Sequence, residues 1–285
     1  MRTSWWDKRA LGRTGLRVSR LGLASSYGLG GSDVERAFER GINYLYWGSL
    51  RKSDFGKGIA QLAPRHRQEM VVVVQSYTRA ACLMRTSLER ALRRLALDYA
   101  DVLLLGWWNQ PPPERIADAA RKLVAEGKAR HVMISCHHRP TFAALAADPR
   151  VGAIMVRYNA AHSGAETEVF PHLGTPPPGV VAYTATRWGG LVNSDLTPPG
   201  ERTPRGSDCY RFSLSHPAVD VCLTGSKDAA ELDEAMAALD RGPMSEDELA
   251  WMKRVGAHVR ARARARSRVL DTFDRIGAGS AAPPG

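Results

Sequence analysis

Short apolar runs alternate with longer amphipathic ones along nearly the whole chain, and few folds accept that order. Residues 70–75 are a valine run ending in Gln75, and residues 101–105 end in three leucines. Runs of this length and type are strands buried on both faces. Between them, residues 83–97 place Leu83, Leu88, Leu92, Leu95 and Leu97 among arginines, which is the spacing of a helix with one apolar side. The pattern recurs. Strands are predicted at 42–47, 130–135, 152–158, 180–184 and 219–224, and helices at 33–40, 53–62, 113–126, 140–147, 166–173 and 229–239. Ser32 is the expected N-cap of the first helix and Gly41 its stop. Pro64 is expected to end the second helix. Ser245-x-x-Glu248 is a capping box that opens a last long helix. At the front, residues 11–23 fold back at Arg13-Thr14-Gly15 as a hairpin leading into a first strand. Strands alternating with helices imply parallel β/α units. Eight evenly spaced strands after a hairpin predict an α/β fold: a closed (β/α)8 TIM barrel with an N-terminal β-hairpin and a long C-terminal helix. An open doubly wound sheet is the alternative, but no GxGxxG follows the first strand. One domain over 1–270 is expected, followed by a disordered tail over 271–285.

A barrel of this kind carries its site where strands end. That rule nominates residues 46–51, 75–79, 106–109, 135–139, 157–159, 183–187 and 224–227. Charge adds a second consideration. The 285 residues carry a net charge of +11, and residues 253–268 alone hold one Lys and six Arg with no acid. An anionic polymer or membrane surface would suit such a segment. The R-A-R-A-R-A-R spacing spreads arginine around a helix without aromatics for base stacking, so a solvated helix end is the preferred reading. No run is long enough for a membrane helix, and MRTSWWDKR lacks the apolar stretch of a signal peptide. Four scattered cysteines without a CxxC pair fit a reducing cytoplasm.

The blocks RALGRTGLRVSRLGL, GINYLYWG, SLERALRRLALDYADVLLL, YNAAH, VVAYTATRWGGL, HPAVDVCLTGSKDAAELDEA and PMSEDELAWM stand in a fixed order over residues 9–255. In these the chain resembles the aldo-keto reductase family. The resemblance implies an NADPH-dependent, monomeric carbonyl reductase that uses an Asp, Tyr, Lys and His at four strand ends. Those positions fall here on Tyr46, Arg51, Gln75 and Gly106, so all four are replaced. The family reaction needs a phenol acidified by Lys and Asp. Gln75 carries no charge and Gly106 no side-chain donor. The resemblance assigns cofactor contacts to Ser135, Tyr183, Gly225, Ser226 and Lys227. Cys136, Met155, Glu231 and Ala235 stand where the family has other residues. Lys227 suits the 2′-phosphate of NADP(H), and Glu231 opposes it.

The residues now at the strand ends suggest chemistry of their own. Tyr46, beside Arg51, is the first candidate acid or base, with Arg51 its charge partner and His137 the second candidate. Trp47, Trp107, Trp108, Arg157 and Arg187 would line a pocket for a planar or anionic small molecule. The alternative is that the tryptophans only fill space. Three adjacent residues, Cys136, His137 and His138, cannot all face one ion, so no metal site is assigned. The leading expectation is a repurposed small-molecule enzyme, an NADP(H)-linked oxidoreductase by family but not through the usual tetrad. A pseudoenzyme that binds cofactor or metabolite without turnover comes second, and an anionic-polymer binder third.

Overall fold

Eight parallel strands close into a barrel, which excludes the open sheet. The computed structural model describes residues 4–48 and 51–279, with side chains through residue 263. A two-stranded hairpin, β1 (Arg9–Ala10) and β2 (Arg17–Val18), precedes the barrel. The barrel strands are β3 (Leu21–Ala24), β4 (Tyr44–Trp47), β5 (Val71–Ser76), β6 (Ala100–Leu105), β7 (Ala129–Ser135), β8 (Val151–Arg157), β9 (Gly179–Tyr183) and β10 (Val221–Thr224). The helices are α1 (Gly31–Glu39), α2 (Ser53–His66), α3 (Ala81–Leu95), α4 (Glu114–Ala125), α5 (Thr141–Ala147), α6 (Ala165–Glu168), α7 (Gly206–Ser215), α8 (Ala229–Arg241) and α9 (Glu246–Gly279).

Strand periodicity sorts the core into two layers. Tyr44, Tyr46, Val71, Val73, Val102 and Leu104 fill the barrel, and the hairpin's Leu11, Leu16 and Val18 join them. The alternate residues Leu45, Trp47, Val72, Val74, Leu103 and Leu105 face the helices. Polar groups at the strand starts hold the opposite end. Buried Asn43 accepts from Ser19 N at 2.8 Å and donates to the Arg17 and Glu69 carbonyls. Buried Asp101 accepts from Val72 N and pairs with Arg67, each at 2.9 Å. That end supplies stability, which leaves the other free for chemistry.

Three local expectations need correction. The N-cap of α1 is Gly30, whose N–H is accepted by Asp33 at 3.1 Å, so Ser32 lies inside the helix. Helix α2 continues past Pro64 to His66. A proline in the last turn loses one backbone bond, and buried Leu62 and Ala63 hold that turn in place. The expected helix over 166–173 is broken by Pro171 into α6 and a short 3-10 turn, Phe170–His172. The capping box at α9 is closed: Ser245 N donates to Glu248 at 2.9 Å, and Glu248 N donates to Ser245 Oγ at 3.2 Å. From the basic segment, Lys253 pairs with Glu166, Arg254 pairs with Glu201, and Arg262 donates to the Asp195 carbonyl. Of the predicted tail over 271–285, residues 271–279 continue α9; residues 280–285, and the side chains from 264 onward, lie outside the described residues.

Candidate active site

Inward-pointing residues at the strand ends form the floor of a cavity of about 530 Å³ at the C-terminal face. Tyr46 from β4, Gln75 from β5, Ser135 from β7, Met155 from β8 and Tyr183 from β9 all line it. It extends past Tyr27 and Thr224 to Lys227 and Glu231 after β10. Two further observations mark this face as more than a gap in the fold. Among the described residues, the exposed large apolar side chains other than Leu83 are Tyr27, Tyr77, Trp107, Trp188 and Val192. Four of these line the cavity, and Tyr77 packs edge-on against Trp107 at 5.3 Å. Exposed apolar surface gathered at one mouth is characteristic of a binding site. Left-handed backbone is gathered there too. Among the described residues, the non-glycine residues with positive φ, apart from Ala96, are Trp107 (+55°), Thr184 (+59°), Arg187 (+53°) and Trp188 (+51°). Such conformations cost energy and persist where the surroundings enforce them.

At the floor, the Tyr46 hydroxyl donates to Gln75 Oε1. Arg51 donates to the Gln75 carbonyl and lies over the Trp47 ring, 5.5 Å from its centre. Burial holds the Arg51 guanidinium below its usual range, and the neighbouring Tyr46 opposes that shift. Two glycines make this packing fit. A Cβ on Gly106 would lie 2.3 Å from Gln75 Nε2, so the amide occupies space that any side chain at 106 would need. A Cβ on Gly48 would lie 1.8 Å from Tyr46 Cζ. Gly48→Ala therefore displaces the Tyr46 ring from Gln75. The expected cost is about 1–3 kcal/mol, read as a lower midpoint in urea unfolding. An unchanged midpoint would mean that the ring has room elsewhere.

His137, Tyr183 and Arg157 form a second cluster. His137 Nδ1 lies 3.0 Å from the Tyr183 hydroxyl and 3.4 Å from Arg157. Arginine can only donate, so Nδ1 is the acceptor and the ring proton sits on Nε2. Burial and then Arg157 hold His137 below the usual histidine range, which keeps it neutral. Burial pushes the Tyr183 phenol up, against the pull of Arg157. His138 turns away: it bonds Thr141 at 3.0 Å, and its carbonyl accepts from Cys136.

The sequence-predicted residues separate clearly. Tyr46, Gln75, Trp107, Ser135, His137, Tyr183, Gly225 and Lys227 meet around the cavity. Trp47 does not: it is 1% exposed among the helices, because it alternates with inward-facing Tyr46. Trp108 is also in the outer layer, with Arg79 3.9 Å from its ring centre. Ser226 is buried beside Thr224 at 2.8 Å and does not line the cavity. Ser135 Oγ accepts from Trp107 N at 2.9 Å, so it holds the strained loop. Arg157 and Arg187 stand outside the lining, at its rim. At the far end, Lys227 Nζ pairs with Glu231 at 2.9 Å, and Lys227 N–H donates to the same carboxylate. Sequence reasoning missed Ser26 and Tyr27 after β3, although the strand-end rule covers them; the hairpin drew attention away from that first strand. Glu234 and Tyr210 come from helices, where no strand-end rule applies.

Comparison with known proteins agrees with this architecture. L-galactose dehydrogenase of Arabidopsis thaliana is 28% identical over 255 residues, covering 79% of this chain and 78% of its own. An aldo-keto reductase of Bacillus halodurans, solved in its holo form, superposes with a TM-score of 0.73 at 19% identity, covering 87% of this chain and 96% of its own. An aldo/keto reductase of Klebsiella pneumoniae, solved with NADP and acetate, superposes at 0.74 and 22% identity, covering 88% and 96%. These two likenesses concern the fold. The model of the aldo/keto reductase family matches residues 32–208, more than half of the sequence and most of the barrel, and the chain belongs to that family.

Proposed function

We propose that the mouth of this barrel is the active site of a nicotinamide-dependent oxidoreductase for a small carbonyl or hydroxyl compound. Its proton chemistry runs through Tyr46 rather than the family's usual four residues. The observation that carries the reading is the gathering of exposed aromatics and left-handed backbone around one cavity with a phenol at its floor. The relative named as an L-galactose dehydrogenase supports a polyhydroxylated substrate.

The residues fit a dinucleotide in part. Tyr183 offers a ring in the cavity wall, and Gly225 is covered by the Tyr27 ring, which a Cβ there would meet at 2.2 Å. Lys227 is engaged by Glu231, so a phosphate at this position would compete with that carboxylate. A bound nicotinamide would supply or take the hydride at the substrate carbon. The chain's own part is the proton on oxygen. In reduction the Tyr46 hydroxyl turns from Gln75 to the carbonyl oxygen and gives up its proton; in oxidation it takes one back. Arg51, fixed against the Gln75 carbonyl, favours the phenolate that is left.

Glu231 makes the site prefer a cofactor without the 2′-phosphate. Glu231→Gln is expected to tighten NADPH binding about tenfold relative to NADH, from the removal of one like charge near the surface. Nucleotide fluorescence titrations read that ratio. An unchanged ratio would mean that the phosphate sits away from Lys227.

The test of the reading is turnover on a panel of aldehydes, ketones and sugars with each dinucleotide. Saturable turnover supports it. Tight dinucleotide binding without turnover on any substrate would favour the second reading, a binding protein. The Tyr46–Gln75 bond speaks for that alternative, because the Gln75 side-chain amide oxygen accepts from a phenol but carries no proton to resupply it.

A further inference from the structure

Beyond the cavity wall, the rim between β8 and β9 collects positive charge that the fold leaves unanswered. His162 follows the β8 loop, and Arg157, Arg187, Arg260 and Arg139 all act on it. Burial and then these four cations push it down to about 4, so it stays neutral beside them. Arg139 is neutralised by Glu168 at 2.8 Å. Arg157 and Arg187 have no such partner: among the described residues, neither has a carboxylate within ion-pair distance. Three buried polar atoms in this one cluster make no hydrogen bond: Arg157 Nε, Arg187 Nε and His162 Nδ1. A buried donor or acceptor left unpaired is costly. Three together, beside two unmatched cations, describe a site built for a group that brings its own negative charge.

The backbone is arranged to the same end. Arg187 and Trp188 both hold left-handed φ, which turns the loop after β9 back over the rim. The Thr184 carbonyl that starts this loop accepts from Asn159 at 2.7 Å and from Arg187 N at 2.8 Å. Trp188 lines the cavity on one side and has the Arg157 guanidinium 5.1 Å from its ring centre on the other. Arg157 also reaches His137 in the cavity wall. The cations are therefore one side chain away from the space that holds the ligand.

We propose that Arg157 and Arg187 form an anion-binding subsite at the rim of the barrel mouth, taking a carboxylate or phosphate ester on the molecule bound in the cavity. The substrate is then an acidic compound, such as an oxo acid, an acid sugar or a sugar phosphate, with its reacting carbon toward Tyr46. Planar guanidinium groups suit either oxyanion, since both accept paired N–H bonds. The assignment of a reacting carbon rests on the function proposed above; the anion subsite does not.

The test uses inorganic phosphate and lactate as probes at constant ionic strength, with tryptophan fluorescence as the signal. The variants are Arg187→Gln and the double variant Arg157→Gln/Arg187→Gln. Arg187 has no side-chain hydrogen bond or ion pair among the described residues, so Arg187→Gln is expected to fold, with a melting temperature unchanged or raised. The expected result is saturable binding of at least one probe, weakened about tenfold by Arg187→Gln and further by the double variant. Which probe binds tells phosphate from carboxylate. NADH binding should stay within about twofold in every variant. Probe binding equal in wild type and both variants would overturn the proposal. So would a parallel loss of NADH affinity, since the arginines would then hold the cofactor's diphosphate. If wild type binds no dinucleotide while probe binding still depends on the arginines, the subsite stands and the oxidoreductase reading falls.

Discussion

Tyr46→Phe is expected to lower turnover by about 10²–10⁴-fold, the usual contribution of a positioned proton donor. Dinucleotide affinity should remain within about twofold, because the change removes one oxygen from the cavity floor and leaves the ring. The split matters. A phenol that merely filled space would cost little in kcat, whereas a phenol that moves the proton costs kcat with binding intact. Gln75 loses its partner in this variant, so an accompanying unfolding midpoint separates local loosening from lost chemistry. Full activity in Tyr46→Phe would move the proton to another group. His137 is the next in the cavity, neutral and already bonded to Tyr183.

Glu248→Ala is expected to cost about 3 kcal/mol of stability, measured by urea unfolding. Arg211, nearly fully buried on α7, makes two bonds to the Glu248 carboxylate, at 2.5 and 2.7 Å. It also donates to the Gly242 and Pro243 carbonyls. Removing Glu248 leaves that buried cation without its main counterion and opens the capping box of α9. The same pair sets an acid limit. Arg211 holds the Glu248 carboxyl down at about 2, below the roughly 4.3 of an unfolded glutamate. Its stabilisation is complete above the unfolded value and is lost as pH falls from about 4.3 toward about 2. Glu248→Gln should remove that part of the acid sensitivity. A variant that melts like wild type at neutral pH would show that α9 is held by its apolar face alone.

Much of the fold was legible because it rests on local periodicity. The valine run of β5 and the leucine run of β6 have the length and composition of buried strands, and the amphipathic helices between them serve as crossovers. Strand ends then nominated Tyr46, Gln75, His137 and Tyr183, which meet in one cavity. Where the sequence reading strayed, the cause is identifiable. Trp47 was expected in the mouth, yet the two-residue alternation that points Tyr46 inward must point Trp47 out. Trp108 lies beyond its strand, where left-handed Trp107 resets the direction and alternation no longer applies. Gly48 and Gly106 owe their meaning to the rings and amides that press on them, and His162 owes its meaning to arginines from other elements. Contacts of that kind are set by the closed barrel and leave no periodic mark.

The central claim is that this mouth, with Tyr46 and Gln75 at its floor, still works with a nicotinamide dinucleotide. Titration of the purified protein with NADH and NADPH at low and physiological salt, by tryptophan quenching and nucleotide fluorescence, tests it most directly. Trp107 and Trp188 stand at the cavity and report on its occupancy. The account predicts saturable binding that survives salt and favours NADH over NADPH. Absence of saturable binding by either nucleotide would contradict it, and the cavity would then belong to a ligand of another kind.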